Sequence, residues 1–179
     1  MKTGHQYHRD SFGQMQTVLS GVTTWTLRAL RSTKVAVPHI AKNDVFSYKC
    51  QLNHDKELAT NLDSFHLHMI PITDPASGDV IAIDYGYTWL ADGDTYPLTM
   101  ASTGTAQIQL DDADQFKYLI KAVVTNITAP TGEGYSSEFI IQCTRRKDAL
   151  DTYAGEFALL DGDVHYKTNH LGSYYEFND

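Results

Sequence analysis

The stretch "VIAIDYGYTWL", residues 80–90, most constrains what this chain can fold into. Large side chains occupy every second position from Ile81 to Trp89, and smaller or polar residues lie between them. A period of two places successive side chains on opposite faces of an extended strand. The segment is therefore predicted to be a β-strand with one face buried under large side chains.

Seven other segments after Lys34 have the short length and the β-branched or aromatic composition of strands. They are "KVAVPHI", "VFSYKCQL", "FHLHMIPI", "LTMASTGTAQIQL", "QFKYLIKAVVTNI", "EFIIQCTR" and "EFALLDGDVHYKT". The fifth also permits a helix, but its Val-Val-Thr run favours a strand. Turns such as "TDPASGD" and "ADGDTYP" separate the segments. Eight strands joined in this way predict an all-β protein, an antiparallel β-sandwich of jelly-roll type.

The first 33 residues differ in character from the rest. They are rich in Thr, Ser and Gln, and their apolar residues follow no sustained period. We expect an extended N-terminal arm over residues 1–33, with one helical turn at most near Ala29 and Leu30. Trp25 and Leu27 have no obvious core partner in the same subunit. The predicted organisation is an arm for oligomerisation or docking, followed by a β-sandwich domain over residues 34–179.

The charge is unevenly distributed along the 179 residues, whose formal net charge is −8. Residues 1–50 carry seven Lys or Arg against two acidic residues, which gives +5, and residues 51–179 carry seven against twenty, which gives −13. The basic start, with Arg28, Arg31 and Lys34, is either an arm that meets an acidic partner or a neighbouring copy of the chain, or a solvated surface, which is slightly favoured. The acidic remainder argues against a nucleic-acid partner, because phosphate binding needs clustered cations.

No apolar run approaches the roughly 20 residues of a membrane span, and the N-terminus lacks the apolar core of a secretory signal. We therefore expect no membrane partner. Cys50 and Cys143 are the only cysteines. One disulfide is possible between them, but two buried thiols are the favoured interpretation.

The sequence contains no phosphate-binding glycine loop and no Gly-x-Ser-x-Gly nucleophile motif. Acidic residues are plentiful, but abundance alone does not identify a pair that hydrolyses glycosides. The residues alone therefore identify no reaction, and we name no catalytic residue, no cofactor-binding residue and no cofactor. Hydrolysis by two carboxylates stays open at this point.

The stretch "SFHLHMIPI" sets His66 and His68 on one face of a predicted strand, about 6.6 Å apart. Two imidazoles at that spacing can share a zinc ion if a third ligand faces them, and His165 with Asp161 or Asp163 is the candidate. Strand histidines more often hydrogen-bond across a sheet or stack on aromatic rings. That interpretation is favoured, so no metal ligand is predicted.

Tyrosine is frequent, with 11 copies. Exposed tyrosine and tryptophan beside aspartate would suit carbohydrate binding. Half-buried tyrosines that keep the hydroxyl in water are the commoner arrangement, including at subunit contacts. Both interpretations stay open at this point.

The order of several short motifs resembles a family of small tailed-phage proteins common in marine and environmental viruses. The motifs are "VFSYKCQLNHDKE", "SFHLHMIPITDPASGDVIAIDYGYTW", "GDTYP", "GYSSEFIIQCTRR" and "DTYAGEFALLDGDVHYKTNHLGSYYEFND", and together they span roughly residues 45–179. The resemblance implies a virion protein of the capsid, neck or a fibre, without known catalytic activity, that assembles in the host cytoplasm. A glycan-binding receptor-recognition domain of a tail fibre is the alternative.

The expected partners are other virion proteins and further copies of the chain. A trimer is favoured, because phage fibres and decoration proteins are often three-fold; that number rests on the resemblance. The polar strand "TMASTGTAQIQL" carries no Lys or Arg to protect a sheet edge. The tail aromatics Tyr174, Tyr175 and Phe177 have no clear partner segment. Contacts between subunits would cover both, and a host-surface glycan is a further possible partner.

Overall fold

The computed structural model describes residues 7–16, 25–52, 61–129 and 137–168. Within these ranges the chain forms eleven β-strands and no helix. The strands are β1 (Tyr7–Phe12), β2 (Gln14–Gln16), β3 (Thr26–Ala29), β4 (Ala36–Ile40), β5 (Val45–Leu52), β6 (Leu62–Pro71), β7 (Val80–Ala91), β8 (Ser102–Gln109), β9 (Leu119–Ile127), β10 (Ser137–Arg145) and β11 (Phe157–Thr168).

The strands form two antiparallel sheets. Sheet A has the order β3-β4-β11-β6-β9, with β1 paired to β11, and sheet B has the order β2-β5-β10-β7-β8. Counted from one to eight, strands β4 to β11 are ordered 1-8-3-6 in sheet A and 2-7-4-5 in sheet B. That order is a jelly roll. The predicted fold class, an all-β antiparallel sandwich, is confirmed.

All eight segments predicted as strands after Lys34 are strands. Large side chains of β7 that were predicted to share a buried face are in the core: Ile81 and Ile83 are fully buried and Trp89 is nearly so. The opposite face is only partly open, because Ala82 and Thr88 are buried too. The segment that also permitted a helix is β9. Its alternation breaks at Val123 and Val124, which are both buried.

The core lies between the two sheets and is rich in aromatic rings. Tyr48 and Phe139 of sheet B meet Phe65 of sheet A with ring centroids 5.9 Å and 6.0 Å apart, respectively. Cys50 and Cys143 are buried free thiols, so the favoured interpretation of the two cysteines is confirmed. Burial raises the pKa of Cys50 to about 12, which keeps this thiol protonated and unreactive.

The N-terminal segment is extended where it is described, and it joins both sheets. β1 pairs with β11, β2 with β5, and β3 with β4. Gly13 lies where the chain passes from sheet A to sheet B. A Cβ atom there would lie 2.7 Å from the sulfur of Cys50, so only glycine allows this close approach. The role of residues 1–33 in docking to another chain stays a prediction.

Side chains of this segment also contact the sandwich of the same chain. Trp25 packs against the main core, so the expectation that it has no core partner is wrong. Leu27 is exposed. Arg28 donates a hydrogen bond of 2.8 Å to Glu156, and the guanidinium of Arg31 lies 4.3 Å from the centre of the Phe116 ring. Part of the basic charge is thus used within the chain.

A buried ion pair holds the end of β10. Arg145 and Asp151 have no exposed side-chain surface. The guanidinium donates to both carboxylate oxygens of Asp151, at 2.8 Å and 3.0 Å. Its remaining contacts are with the backbone oxygens of Tyr153, Ile40 and Gly155 at 2.6 Å, 3.2 Å and 2.6 Å, respectively. Five contacts match the five donors of a guanidinium, so this cluster is fully satisfied.

In the described ranges no helix is long and apolar enough to cross a membrane. The tail aromatics Tyr174, Tyr175 and Phe177, for which a subunit contact was predicted, lie outside the described residues.

Candidate histidine-aspartate site

The strand β6 directs its two histidines away from the core. Phe65, Leu67 and Met69 are fully buried between the sheets, and the alternation of a strand therefore places His66 and His68 on the outer face of sheet A. The orientation predicted from the sequence is confirmed.

The neighbouring strand β11 places acidic residues beside these histidines. Asp163 lies opposite His66, and Asp161 lies opposite His68. A register irregularity between Leu159 and Asp161 changes the alternation just before this point. After it, the carboxylates of β11 face outward, on the same face as the histidines.

Gly162 fixes this orientation from the inner side. A Cβ atom at Gly162 would lie 2.8 Å from Phe65 and 3.0 Å from Tyr48, which is closer than side chains pack. The inward position therefore needs a residue without a side chain. Core packing thus keeps Asp161 and Asp163 on the outer face.

Asp163 is the centre of the site, with only 1% of its side chain exposed. His68 Nε2 lies 3.0 Å from its Oδ1, and His165 Nε2 lies 2.9 Å from its Oδ2. His66 Nδ1 is 3.9 Å from Oδ1, too far for a hydrogen bond. The rings of His66 and His165 are 4.1 Å apart. Three imidazoles therefore converge on one buried carboxylate.

His66 is the incompletely paired member of the group. Its Nε2 lies 3.2 Å from the hydroxyl of Ser64, whereas its Nδ1 is buried and has no hydrogen-bond partner. Burial, and then the nearby imidazole of His165, lower the pKa of His66. The ring is therefore neutral at neutral pH, and one nitrogen carries a free lone pair.

Three residues from other strands and loops complete the surroundings. The hydroxyl of Tyr118 lies 2.5 Å from His68 Nδ1. The ring of Phe12 meets that of His68 edge-on at 6.2 Å. Asp10 Oδ1 lies 3.1 Å from His165 Nε2. These three residues were not predicted from the sequence as part of the site. They are distant in sequence from His68 and His165, and no local sequence pattern indicates that β1 pairs with β11 or that Tyr118 lies beside His68.

The structure brings together most of the residues that the sequence suggested for a metal. One ligand atom from each of His66, Asp163 and His165 lies within 4.8 Å of the others. His68 instead hydrogen-bonds to Asp163 across the sheet and meets the ring of Tyr118 at 5.6 Å. Those are the two kinds of contact expected from the favoured, metal-free interpretation. Both interpretations therefore have support in the geometry.

Asp161 lies at the border of the site and not in its centre. Its Oδ1 accepts a hydrogen bond of 2.8 Å from the backbone N–H of Gly162. Burial, more than any other effect, raises its pKa. Asp161 is therefore outside the group of three candidate ligands, and Asp163 is the carboxylate that the histidines share.

Ser64, His66 and Asp163 invite comparison with a hydrolytic triad, which needs an aspartate hydrogen-bonded to the histidine. The 3.9 Å between His66 Nδ1 and Asp163 does not provide that bond. The side chain of Ser64 is also buried. The described arrangement is therefore not a triad, and its chemistry is that of nitrogen and oxygen donors converging on one point.

Comparisons with known proteins add little to this geometry. No family model matches the chain, and no curated protein matches it. One similar solved structure is TmCBM61 in complex with beta-1,4-galactotriose, at 11% sequence identity and a TM-score of 0.27. The match covers 91% of this chain and 88% of the other. A likeness this low assigns neither a ligand nor a relative to the chain.

Proposed function

We propose that this chain is a non-enzymatic structural component of a tailed-phage particle, and that it acts as a homo-oligomer. The order of motifs over residues 45–179 supports the phage assignment by resemblance. Jelly rolls are used by viral capsid proteins and by lectins, although a fold alone does not define a function. The observation that carries the oligomer is the edge strand of sheet A, which has no partner on one side among the described residues and lies beside exposed apolar side chains.

That edge is formed by β3. All four residues of β3 are exposed, and among the described strands β3 pairs only with β4. Leu27 is 61% exposed, and Val35, in the loop that follows, is 59% exposed. An open edge with apolar side chains is a template for pairing with another chain. A neighbouring subunit would cover it.

The opposite sheet has a comparable edge. β8 is the last strand of sheet B and pairs with β7. It carries no Lys or Arg, and the loop before it exposes Tyr96 and Leu98. The occupant that we propose for both edges is a second copy of the chain. The difference between +5 in residues 1–50 and −13 in the remainder favours contact between the start of one copy and the body of the next.

The oligomer is tested by sedimentation velocity at micromolar concentration. Wild-type protein should sediment as a closed oligomer, a trimer by resemblance. The double variant Leu27→Asp/Val35→Asp should sediment as a folded monomer. Leu150→Asp is the matched control, because Leu150 is an exposed leucine in a different loop. A wild-type monomer would refute the oligomer, and a two-fold or five-fold assembly would refute only the trimer.

The place in the virion is tested by mass spectrometry of purified particles of the phage that encodes the chain. Its peptides should be recovered in stoichiometric amounts with known particle proteins. Immunogold labelling should then locate them at the capsid, neck or fibre. Absence of the peptides from intact particles would end the assignment.

A second candidate function is glycan binding, which one observation favours. Phe12 and Tyr118 are 59% and 53% exposed, respectively, and they flank His68 beside Asp163 on the outer face of sheet A. Exposed rings next to polar acceptors suit a sugar ring. A glycan array probed with the oligomer should give a binder that Tyr118→Ala abolishes, whereas Tyr96→Ala, at an exposed tyrosine elsewhere, should leave binding unchanged. An array without a binder would remove this candidate.

A further inference from the structure

We propose that His66, Asp163 and His165 form a binding site for a divalent transition-metal ion of the zinc class, with Asp10 of β1 as the fourth ligand. This site goes beyond the structural role proposed above and does not depend on it. It would make the N-terminal strand part of a metal centre that also includes β6 and β11.

The distances fit such an ion. Zinc binds nitrogen and oxygen ligands at about 2.0–2.2 Å in a tetrahedral arrangement, so its ligand atoms lie roughly 3.3–3.6 Å from one another. His165 Nε2 is 2.9 Å from Asp163 Oδ2 and 3.1 Å from Asp10 Oδ1, and His66 Nδ1 is 3.9 Å from the other oxygen of Asp163, Oδ1. Each of these three separations is within about half an ångström of the tetrahedral range.

The free nitrogen of His66 points to a missing partner. A buried polar atom without a hydrogen bond costs free energy, and Nδ1 of His66 is such an atom. In the tautomer with the proton on Nε2, that nitrogen donates to the Ser64 hydroxyl 3.2 Å away, and the lone pair is on Nδ1. A second interaction that fixes the tautomer in this way is typical of metal-binding histidines. A metal ion in the cluster would satisfy Nδ1.

The donor set selects the kind of metal. Two imidazoles with carboxylates suit zinc and related transition metals, whereas magnesium and calcium prefer oxygen ligands alone. Asp163 is further oriented by His68, whose Nε2 donates to Oδ1 and whose Nδ1 lies 2.5 Å from the hydroxyl of Tyr118. The carboxylate is therefore held in place, with Oδ1 3.9 Å from His66 Nδ1 and Oδ2 2.9 Å from His165 Nε2.

A bound ion would link three strands. Asp10 belongs to β1, His66 to β6, and both Asp163 and His165 to β11. β1 already pairs with β11, and Asp10 lies opposite His165 in that pairing. Metal binding would therefore strengthen the attachment of the N-terminal strand to sheet A.

The test uses the untagged chain of residues 1–179, stripped with a chelator and titrated with Zn²⁺ by calorimetry in excess Mg²⁺. We expect one tight Zn²⁺ per chain and a rise in melting temperature. His66→Gln and His165→Gln should each weaken binding by more than about 100-fold, and His68→Gln, which orients Asp163, by about 10–100-fold. Asp10→Asn should weaken binding and should abolish any zinc-dependent protection of β1 in hydrogen exchange.

His39→Gln is the matched control. His39 is also buried with unpartnered nitrogens, but it faces one carboxylate, Glu156 at 3.4 Å, and not a second imidazole. The affinity of the His39→Gln variant for Zn²⁺ should equal that of the wild-type protein. If the cluster variants do not fold, ring NMR of wild-type protein decides instead, because Zn²⁺ should shift the signals of His66 and His165. Absence of tight Zn²⁺ binding by wild type, or unchanged binding by a folded His66→Gln/His165→Gln variant, would overturn the proposal.

Discussion

Two polar clusters of this jelly roll, each built around a buried carboxylate, differ in how completely that carboxylate and its neighbours are paired. At the end of β10, every donor direction of Arg145 meets an oxygen of Asp151 or of the backbone. On the outer face of sheet A, Asp163 has two imidazole partners, but a nitrogen of His66 beside it has none.

This difference in hydrogen bonding distinguishes a cluster that stabilises the fold from a cluster that can bind a ligand. A fully satisfied buried network adds rigidity and has no free group left for a ligand. A buried polar atom without a partner needs an explanation, and an absent ion is one such explanation. We therefore infer that the Arg145 cluster stabilises the fold, whereas the His66–Asp163–His165 cluster binds a metal ion.

The largest effect should come from the satisfied cluster. Arg145→Ala should lower the free energy of unfolding by about 3–5 kcal/mol, because it removes the buried, two-oxygen partner of Asp151. Only the partly exposed ammonium of Lys42, 3.3 Å from Asp151 Oδ1, would then face that buried carboxylate. Urea denaturation measures the change. Arg146→Ala, at the next position, is the control, since Arg146 pairs with the exposed carboxylates of Asp84 and Asp148. A similar loss in both variants would contradict a special role for the buried pair.

The second prediction compares the two faces of β6. Leu67→Ala should cost about 2–5 kcal/mol through a cavity in the core. His66→Ala in metal-free protein should cost far less, because it removes a side chain whose Nδ1 makes no hydrogen bond. Thermal or urea unfolding of both variants provides the comparison. A cost at His66 as large as that at Leu67 would mean that His66 is a structural residue.

The sequence predicted the sheets better than the site. Alternation and turns identified eight strands, and they placed His66 and His68 on one face, because a strand repeats every two residues. The partners of these histidines depend on strand register, which local sequence does not define. The register irregularity after Leu159 turns Asp163 to the outer face of sheet A, where the histidines lie. The pairing of β1 with β11 places Asp10 opposite His165.

Arg145 is a second example of a residue whose role local sequence does not predict. In "QCTRRKD" nothing distinguishes Arg145 from Arg146, yet one side chain is fully buried and the other is partly exposed. Only the alternation of β10 and the loop that carries Asp151 decide which arginine enters the interior. Long-range packing thus determines which polar residue is structural.

The third prediction concerns the glycine that orients the site. Gly162→Ala should cost about 1–3 kcal/mol, because the added methyl group would overlap Phe65 and Tyr48. It should also weaken Zn²⁺ binding, since relief of the overlap would displace the neighbouring Asp163. Unfolding and calorimetry on one preparation measure both effects. An alanine variant with unchanged stability would show that core packing does not fix the orientation of β11.

The smallest effect should come from Asp161. Burial raises the pKa of its carboxyl in the folded state, so the folded state binds a proton more tightly than the unfolded chain does. The contribution of this group to stability is therefore present at low pH and is lost as pH rises through the raised pKa. Asp161→Asn should make the protein slightly more stable at neutral pH and no more stable in acid. Unfolding curves across pH 3–7 test this, and a less stable variant at neutral pH would contradict it.

The central claim is that His66, Asp163 and His165, which lie close together and include a buried nitrogen without a hydrogen-bond partner, form a metal-binding site. X-ray diffraction tests this claim most directly. Crystals of the untagged protein grown with Zn²⁺ should give an anomalous peak at the zinc edge, about 2.0–2.2 Å from His66 Nδ1, His165 Nε2 and a carboxylate oxygen of Asp163. No peak should lie near Arg145. Crystals of folded protein without a peak at the histidine-aspartate cluster, with zinc bound only elsewhere on the surface, would contradict the claim.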